Sequence, residues 1–243
     1  MTYCVGILLD KGLVMAADTR TNAGVDNVGK FKKLHTWEFP GSRIFVLLTA
    51  GNLAVTQAVT SLLSEQIEHP PEQGDTLKTA VTMFQAANVV GAAIRAVKAM
   101  DEGHLTANGE AFAASFIFAG QIGSEKPRLF NIYSAGNFIE ATPDTPFFQI
   151  GEHKYGKPIL DRVARSSMEL GEAAKMVLVS FDSTLRSNLS VGLPIDLLTY
   201  ETDSLKIEHT KRIGPDDPYF KMLSTEWSKA LRTAFSNIEA LDI

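Results

Sequence analysis

The chain has 243 residues, 45% of them apolar and 21% charged, and carries a net charge of −5. That balance belongs to an ordinary folded chain rather than a disordered one, and the length suits one large layered domain over residues 1–243 better than two. The acidic balance, with no basic cluster beyond residues 30–33, argues against nucleic acid as a partner, and Cys4, the one cysteine, leaves no internal disulfide and no cysteine-based metal site.

Residues 3–9 and 13–17 are short apolar runs joined by Asp10-Lys11-Gly12, which predicts two strands in a tight hairpin. Cys4 falls inside the first strand as a small core residue. Only Met1 and Thr2 precede that strand. Removal of Met1, which the small threonine side chain permits, leaves Thr2 with a hydroxyl and a free α-amine on one residue. An α-amine, with an ordinary pKa of about 7.7–8.0, is a suitable base for activating that hydroxyl. Asp18 ends the second strand and Lys33 follows a polar loop. A lysine ammonium beside the hydroxyl lowers the cost of forming an alkoxide and keeps the amine neutral. An aspartate holds that lysine charged and oriented.

Residues 21–29 read as a polar, glycine-rich loop and 31–38 as a strand. Residues 43–50 form the strongest strand, apolar from Ile44 to Leu48 and read as fully buried. Asn52 predicts the cap of a helix over 53–68, with Ala54, Val55, Ala58, Leu62 and Leu63 as its apolar face and His69-Pro70-Pro71 as its stop. A second helix is expected from Thr76 to about Met100, followed by a polar loop from 101 to 110. Strands follow at 111–120, 128–134, 138–141 and 147–151, then a helix over 157–165. Ser167 is the expected cap of another helix over 168–186. Residues 194–200 and 204–210 read as a hairpin, and an amphipathic helix runs from 218 to about 241. This order fits two antiparallel sheets covered by helices. There is no secretory signal pattern and no apolar run long enough to span a bilayer, so a cytoplasmic protein without a membrane partner is expected. The five histidines are scattered without metal-ligand spacing, and no glycine loop for phosphate is present, so no metal or cofactor is expected.

Thr2, the Val5-Gly6 step, the turn at Gly12, Ala16-Ala17-Asp18-Thr19-Arg20, Lys32-Lys33-Leu34 and Thr49-Ala50-Gly51 together resemble the proteasome β-type subunit family. The opening Met1-Thr2-Tyr3-Cys4-Val5-Gly6 is similar to the bacterial Anbu (ancestral β subunit) branch of that family. The resemblance implies an α+β fold, the four-layer αββα sandwich of the N-terminal-nucleophile hydrolases, and a threonine-type peptidase. Thr2 is then nucleophile and general base, and Asp18 and Lys33 complete the triad. Lys32 stands as a rival to Lys33, because the spacing from Asp18 is one residue shorter than in most β subunits. Arg20 lines up next to the site, and the Gly51 N–H is the implied oxyanion donor.

Two positions depart from the family pattern. Glu152 stands where the family has an assisting serine, and a carboxylate there is expected to hydrogen-bond the terminal amine and favour its protonated form. Asp182 matches a family aspartate and is a second candidate for supporting the amine, but Leu185 occupies the place of the next serine and Ser187 comes two residues late. Implied partners are a peptide or unfolded-protein substrate, further copies of the chain in a large ring or helical homo-oligomer, and an unfoldase of unknown identity. Two alternatives stay open: an amidase acting on small amides, and a catalytically silent ring subunit, the outcome if a retained Met1 acylates the Thr2 nitrogen.

Overall fold

The computed structural model describes residues 1–22 and 28–242. The opening apolar runs form β1 (Tyr3–Leu9) and β2 (Gly12–Asp18), paired antiparallel from Cys4–Ala17 to Leu9–Gly12. β10 (Phe147–Gly151) pairs with the free edge of β1, and β11 (Ile195–Glu201) with that of β2. β12 (His209–Ile213) completes a five-stranded antiparallel sheet. A second five-stranded antiparallel sheet runs in the order β5 (Leu34–Phe39), β6 (Arg43–Gly51), β7 (Ala114–Ile122), β8 (Arg128–Ile132), β9 (Phe138–Glu140). A short ribbon of β3 (Arg20–Asn22) and β4 (Val28–Lys30) leaves the first sheet after Asp18.

Successive side chains of a strand point to opposite faces, and both faces of each sheet are covered. Cys4, Met15 and Ala17 of the first sheet meet Val46, Leu48, Ile117 and Ala119 of the second in a core between the sheets. Tyr3, Val5, Ile7, Val14 and Ala16 face the other way, under α3 (Lys157–Val163), α4 (Leu170–Ser187) and α5 (Pro218–Ser236). Phe45, Leu47, Phe116, Phe118 and Phe130 face α1 (Leu53–Glu68) and α2 (Met83–Ala107). The result is the four-layer αββα sandwich, with β1 and β2 buried on both faces.

Several boundaries differ from the sequence expectation. The loop expected at 21–29 is paired at both ends as β3 and β4, and the rest of it lies outside the described residues. The strand expected from residue 31 begins at Leu34, because the Phe31 N–H is drawn back to the Thr19 carbonyl at 2.9 Å and Lys33 turns inward. Residues 76–82 are not helical. The Thr76 and Thr79 side chains tie that segment into its own turn, and the Thr82 hydroxyl accepts from the Gln85 N–H to start α2. α2 then continues to Ala107 through the stretch expected as loop. Asn52 caps α1 as predicted, accepting from the N–H groups of Ala54 and Val55. The buried stripe of α1 is rotated, however: Val55, Val59 and Leu63 are buried, whereas Ala54 is exposed. Ser167 does not cap α4, whose N-cap is Glu169 with no side-chain bond. β12 starts only at His209, since Asp203 and Leu205 take left-handed backbone conformations in the preceding turn. α5 ends at Ser236, short of 241.

Phe118 is fully buried and stacks on Phe45 with ring centroids 5.5 Å apart. Replacing it with Ala is expected to cost about 3–5 kcal/mol, read as a lower midpoint in urea unfolding, whereas Ala54→Ser on the exposed face of α1 stays within about 0.5 kcal/mol.

Candidate active site

The pairing of β1 with β2 sets Tyr3 beside Asp18 at the end of the ladder, with Thr2 one residue beyond. The Tyr3 N–H donates to Asp18 Oδ1 at 3.0 Å. On its other side Thr2 meets the end of β10. Gly151 sits at φ +81°, and a Cβ there would stand 2.1 Å from the Thr2 carbonyl oxygen, so the close approach requires glycine. The next residue closes the contact, Glu152 N–H donating to that carbonyl at 2.6 Å. Thr2 is held from two directions and is buried.

Lys33 reaches the same point from the segment linking the ribbon to β5. Its ammonium donates to Asp18 Oδ1 at 2.8 Å and to the Arg20 carbonyl. Asp18 Oδ2 accepts from the Gly192 N–H at 3.3 Å. Asp18 is 0% and Lys33 4% exposed, so the ion pair is interior. Lys32 is exposed, and Lys33 is the lysine paired with Asp18. Burial pushes the Asp18 carboxyl upward, against the pull of the Lys33 charge and the Tyr3 and Gly192 N–H groups. The α-amine of Met1 lies in the same field. Burial and then the Lys33 charge lower it from its ordinary value, with Asp18 pulling the other way. A cleft of about 220 Å³ opens beside these groups, lined by Met1, Thr2, Thr21, Lys33, Thr49 and Gly51 among others. Gly51 is thus at the cleft.

Arg20 has a different part from that of a cleft residue. Its guanidinium donates to the Leu189 carbonyl at 2.8 Å and lies over Gly192, where a Cβ would come 2.1 Å from Nε. It braces the 189–192 loop that presents the Gly192 N–H to Asp18. Among the described contacts, the Glu152 carboxylate has none with the α-amine of Met1. It accepts from the N–H groups of His153 at 2.9 Å and Lys154 at 2.8 Å, and from Asn188 Nδ2 at 2.7 Å. Burial pushes this carboxyl up, but the three donors and the Lys154 charge outweigh it and leave it below the ordinary value. Asp182 points along its own helix to Arg186 Nε at 3.1 Å, and Arg186 continues to Ser224 on α5. Among the described contacts it has none with Thr2.

Sequence reasoning missed Asn188, Gly192 and the anchoring of Tyr3. The Tyr3 hydroxyl donates to Ser180 Oγ at 3.0 Å and accepts from Gln149 Nε2 at 2.7 Å. No local pattern marks Asn188 or Gly192. Among the described residues, no group of three or more His, Cys, Asp or Glu side chains is placed to hold a metal ion, and no helix is long and apolar enough to cross a membrane.

Two antiparallel sheets between helix layers, with a threonine at the mouth of one sheet against a buried aspartate–lysine pair, define a fold of the N-terminal-nucleophile hydrolase type. The proteasome subunit family matches the chain over residues 2–198, and the chain belongs to that family, in its Anbu branch. It is similar to Anbu from Hyphomicrobium sp. strain MC1, with 60% identity over 99% of this chain and 100% of that one and a TM-score of 0.93. Anbu (ancestral beta-subunit) from Yersinia bercovieri is 46% identical over 99% of both chains, at a TM-score of 0.92. The helical assembly of the Anbu complex from Pseudomonas aeruginosa supplies a third, 46% identical over 99% of this chain and 98% of that one, again at 0.92. No curated protein matches the chain.

Lys33→Met leaves Asp18 buried and unpaired, an expected cost of about 3–5 kcal/mol at pH 7. Without the ammonium, the folded-state pKa of Asp18 rises further above its unfolded value of about 3.9. Stability of the variant therefore recovers as pH falls through that raised value and the carboxyl becomes neutral. Melting temperatures of variant and parent, measured from pH 8 to pH 5, are expected to converge toward the acid end.

Proposed function

We propose that this chain is a threonine peptidase subunit of a bacterial, proteasome-like complex built by self-association, working in the cytoplasm on peptides or unfolded protein. The observation that carries the reading is the buried Lys33–Asp18 pair held beside Thr2 at an open cleft. Met1 is 63% exposed, so the residue that masks the Thr2 nitrogen is accessible to removal.

With Met1 gone, Thr2 Oγ attacks the substrate carbonyl carbon, and its proton passes to the Thr2 α-amine. The nearby Lys33 charge keeps that amine neutral beforehand and stabilises the negative charge growing on Oγ. The Gly51 N–H is assigned to the oxyanion. The amine returns the proton to the leaving nitrogen, and the peptide bond breaks to leave an ester on Oγ. A water, deprotonated by the same amine, then attacks the ester and releases the acid. Arg20 acts on this chemistry through its carbonyl, which orients Lys33, and through the loop that it braces. Asp182 is assigned no contact with the reacting atoms.

Self-association is supported by the Anbu relatives, one of which forms a helical assembly. It is also supported by Leu231 and Phe235, large apolar side chains left exposed on α5. An unfoldase partner would widen the substrate range to folded proteins.

Intact mass and peptide hydrolysis test the reading together. The expected mass lacks Met1, and Thr2→Ala lowers kcat by roughly three orders of magnitude or more on a fluorogenic peptide panel. Full retention of Met1 with no hydrolysis makes the chain a silent subunit. Cleavage of small amides but not of peptides makes it an amidase.

A further inference from the structure

Glu152 stands where the family resemblance implies a neutral, assisting serine, and its carboxylate is taken up by two N–H groups of its own turn and by Asn188. Both Glu152 and its partner Asn188 are buried. Their hydrogen bonds join segments that the mechanism needs in register. Glu152 N–H donates to the Thr2 carbonyl at 2.6 Å. Glu152 Oε2 accepts from Asn188 Nδ2 at 2.7 Å, and Asn188 Oδ1 accepts from the Ser190 N–H at 2.9 Å. Two residues on, the Gly192 N–H donates to Asp18 Oδ2 at 3.3 Å, and Asp18 Oδ1 accepts from the Tyr3 N–H at 3.0 Å. Tyr3 follows Thr2, so the path closes on the residue where it began.

We infer that Glu152 and Asn188 are positioning residues, a matched buried pair that fixes the distance between the nucleophile Thr2 and the loop carrying Asp18's last donor. The inference rests on the threonine-peptidase reading for its catalytic meaning, although the coupling itself is structural.

The chemistry of the pair is directional. Glu152 Oε1 is taken up by the N–H groups of His153 and Lys154, so only Oε2 is left to face α4. That oxygen can only accept, and Ser190 N–H can only donate. Asn188 satisfies both at once with its amide, which fixes the amide orientation. A glutamine at 152 keeps the two local bonds but turns an N–H₂ toward the Asn188 N–H₂, setting donor against donor. The Asn188 amide can then flip only by abandoning Ser190. Asn188 Nδ2 also lies 3.7 Å from the Met1 sulfur, so the pair flanks the residue that must leave before the amine is free.

The test compares Glu152→Gln, Asn188→Ser and the double variant Glu152→Gln with Asn188→Asp, using the full chain in its native assembly. In the double variant the charge moves across the pair. The introduced amide donates to the introduced carboxylate, whose second oxygen still accepts from Ser190. Two readouts are taken: kcat and KM on a fluorogenic peptide, and amide hydrogen exchange over residues 188–194. Each single variant is expected to lose about 10- to 100-fold in kcat, with KM within about twofold, and to exchange faster over 188–194; the double variant regains most of both. Singles that lose melting temperature but keep kcat overturn the inference, as does a double variant no better than the singles. If the Met1-free parent hydrolyses nothing, the peptidase reading fails on its own. Exchange then decides the pair: faster in the singles and restored in the double upholds the lock, and no change removes it.

Discussion

The structure turns on placing one positive and one negative side chain where water does not reach them. An interior ion pair is tolerable only when both members are present and the remaining lone pairs and protons are satisfied. Asp18 meets this with three donors drawn from three parts of the chain: Lys33, the Tyr3 amide and the Gly192 amide. Lys33 meets it with Asp18 and the Arg20 carbonyl. Everything else near the site follows from this requirement. The crossing from ribbon to sheet leaves the ladder so that Lys33 can turn inward. Arg20 lies flat on Gly192 so that the loop beyond α4 stays within reach of Asp18.

The same burial gives the pair its chemical value. A lysine charge screened by solvent has little effect on a neighbouring amine or hydroxyl, whereas one held in a low-dielectric interior acts strongly over the same distance. At the α-amine that starts the chain, burial first and the Lys33 charge second act in the same direction, favouring the neutral form. The sandwich therefore performs two tasks with one arrangement, excluding water from the charges and aiming their field at the mouth of the first sheet.

Much of the site was legible in sequence because it is local. A hairpin with a short turn fixes which residues lie opposite each other, so Asp18 at the end of β2 falls beside the start of β1 by counting. The turn at Gly51 was legible for a similar reason, between a buried strand and a well-capped helix, whereas its link to the site came from the family resemblance. The choice between Lys32 and Lys33 was not legible, because it depends on how the chain leaves the β3–β4 ribbon. Asn188 and Gly192 carried no signal at all. They act through a helix end and a loop more than 150 residues from Asp18, and their spacing repeats no pattern. Glu152 was noticed, but not the donors that hold its carboxylate, two in its own turn and one from Asn188. In the fold, two antiparallel sheets covered by helices followed from strand and helix order and the four-layer stacking from the family resemblance, while the early start expected for α2 failed because threonine hydroxyls at 76 and 79 favour a closed turn over a helix.

β1 lies between β2 and β10 in its sheet, and β2 in turn lies against β11. During synthesis the N-terminal strand emerges first, yet its neighbours from the second half of the chain arrive only after residue 147, and the loop that completes Asp18's shell only after residue 188. A ribosome-bound fragment thus carries the threonine, the aspartate and the lysine long before it has the geometry that makes them a unit. The order of the strands works as a delay, keeping the threonine and the buried ion pair apart as a site until the chain around them is nearly complete.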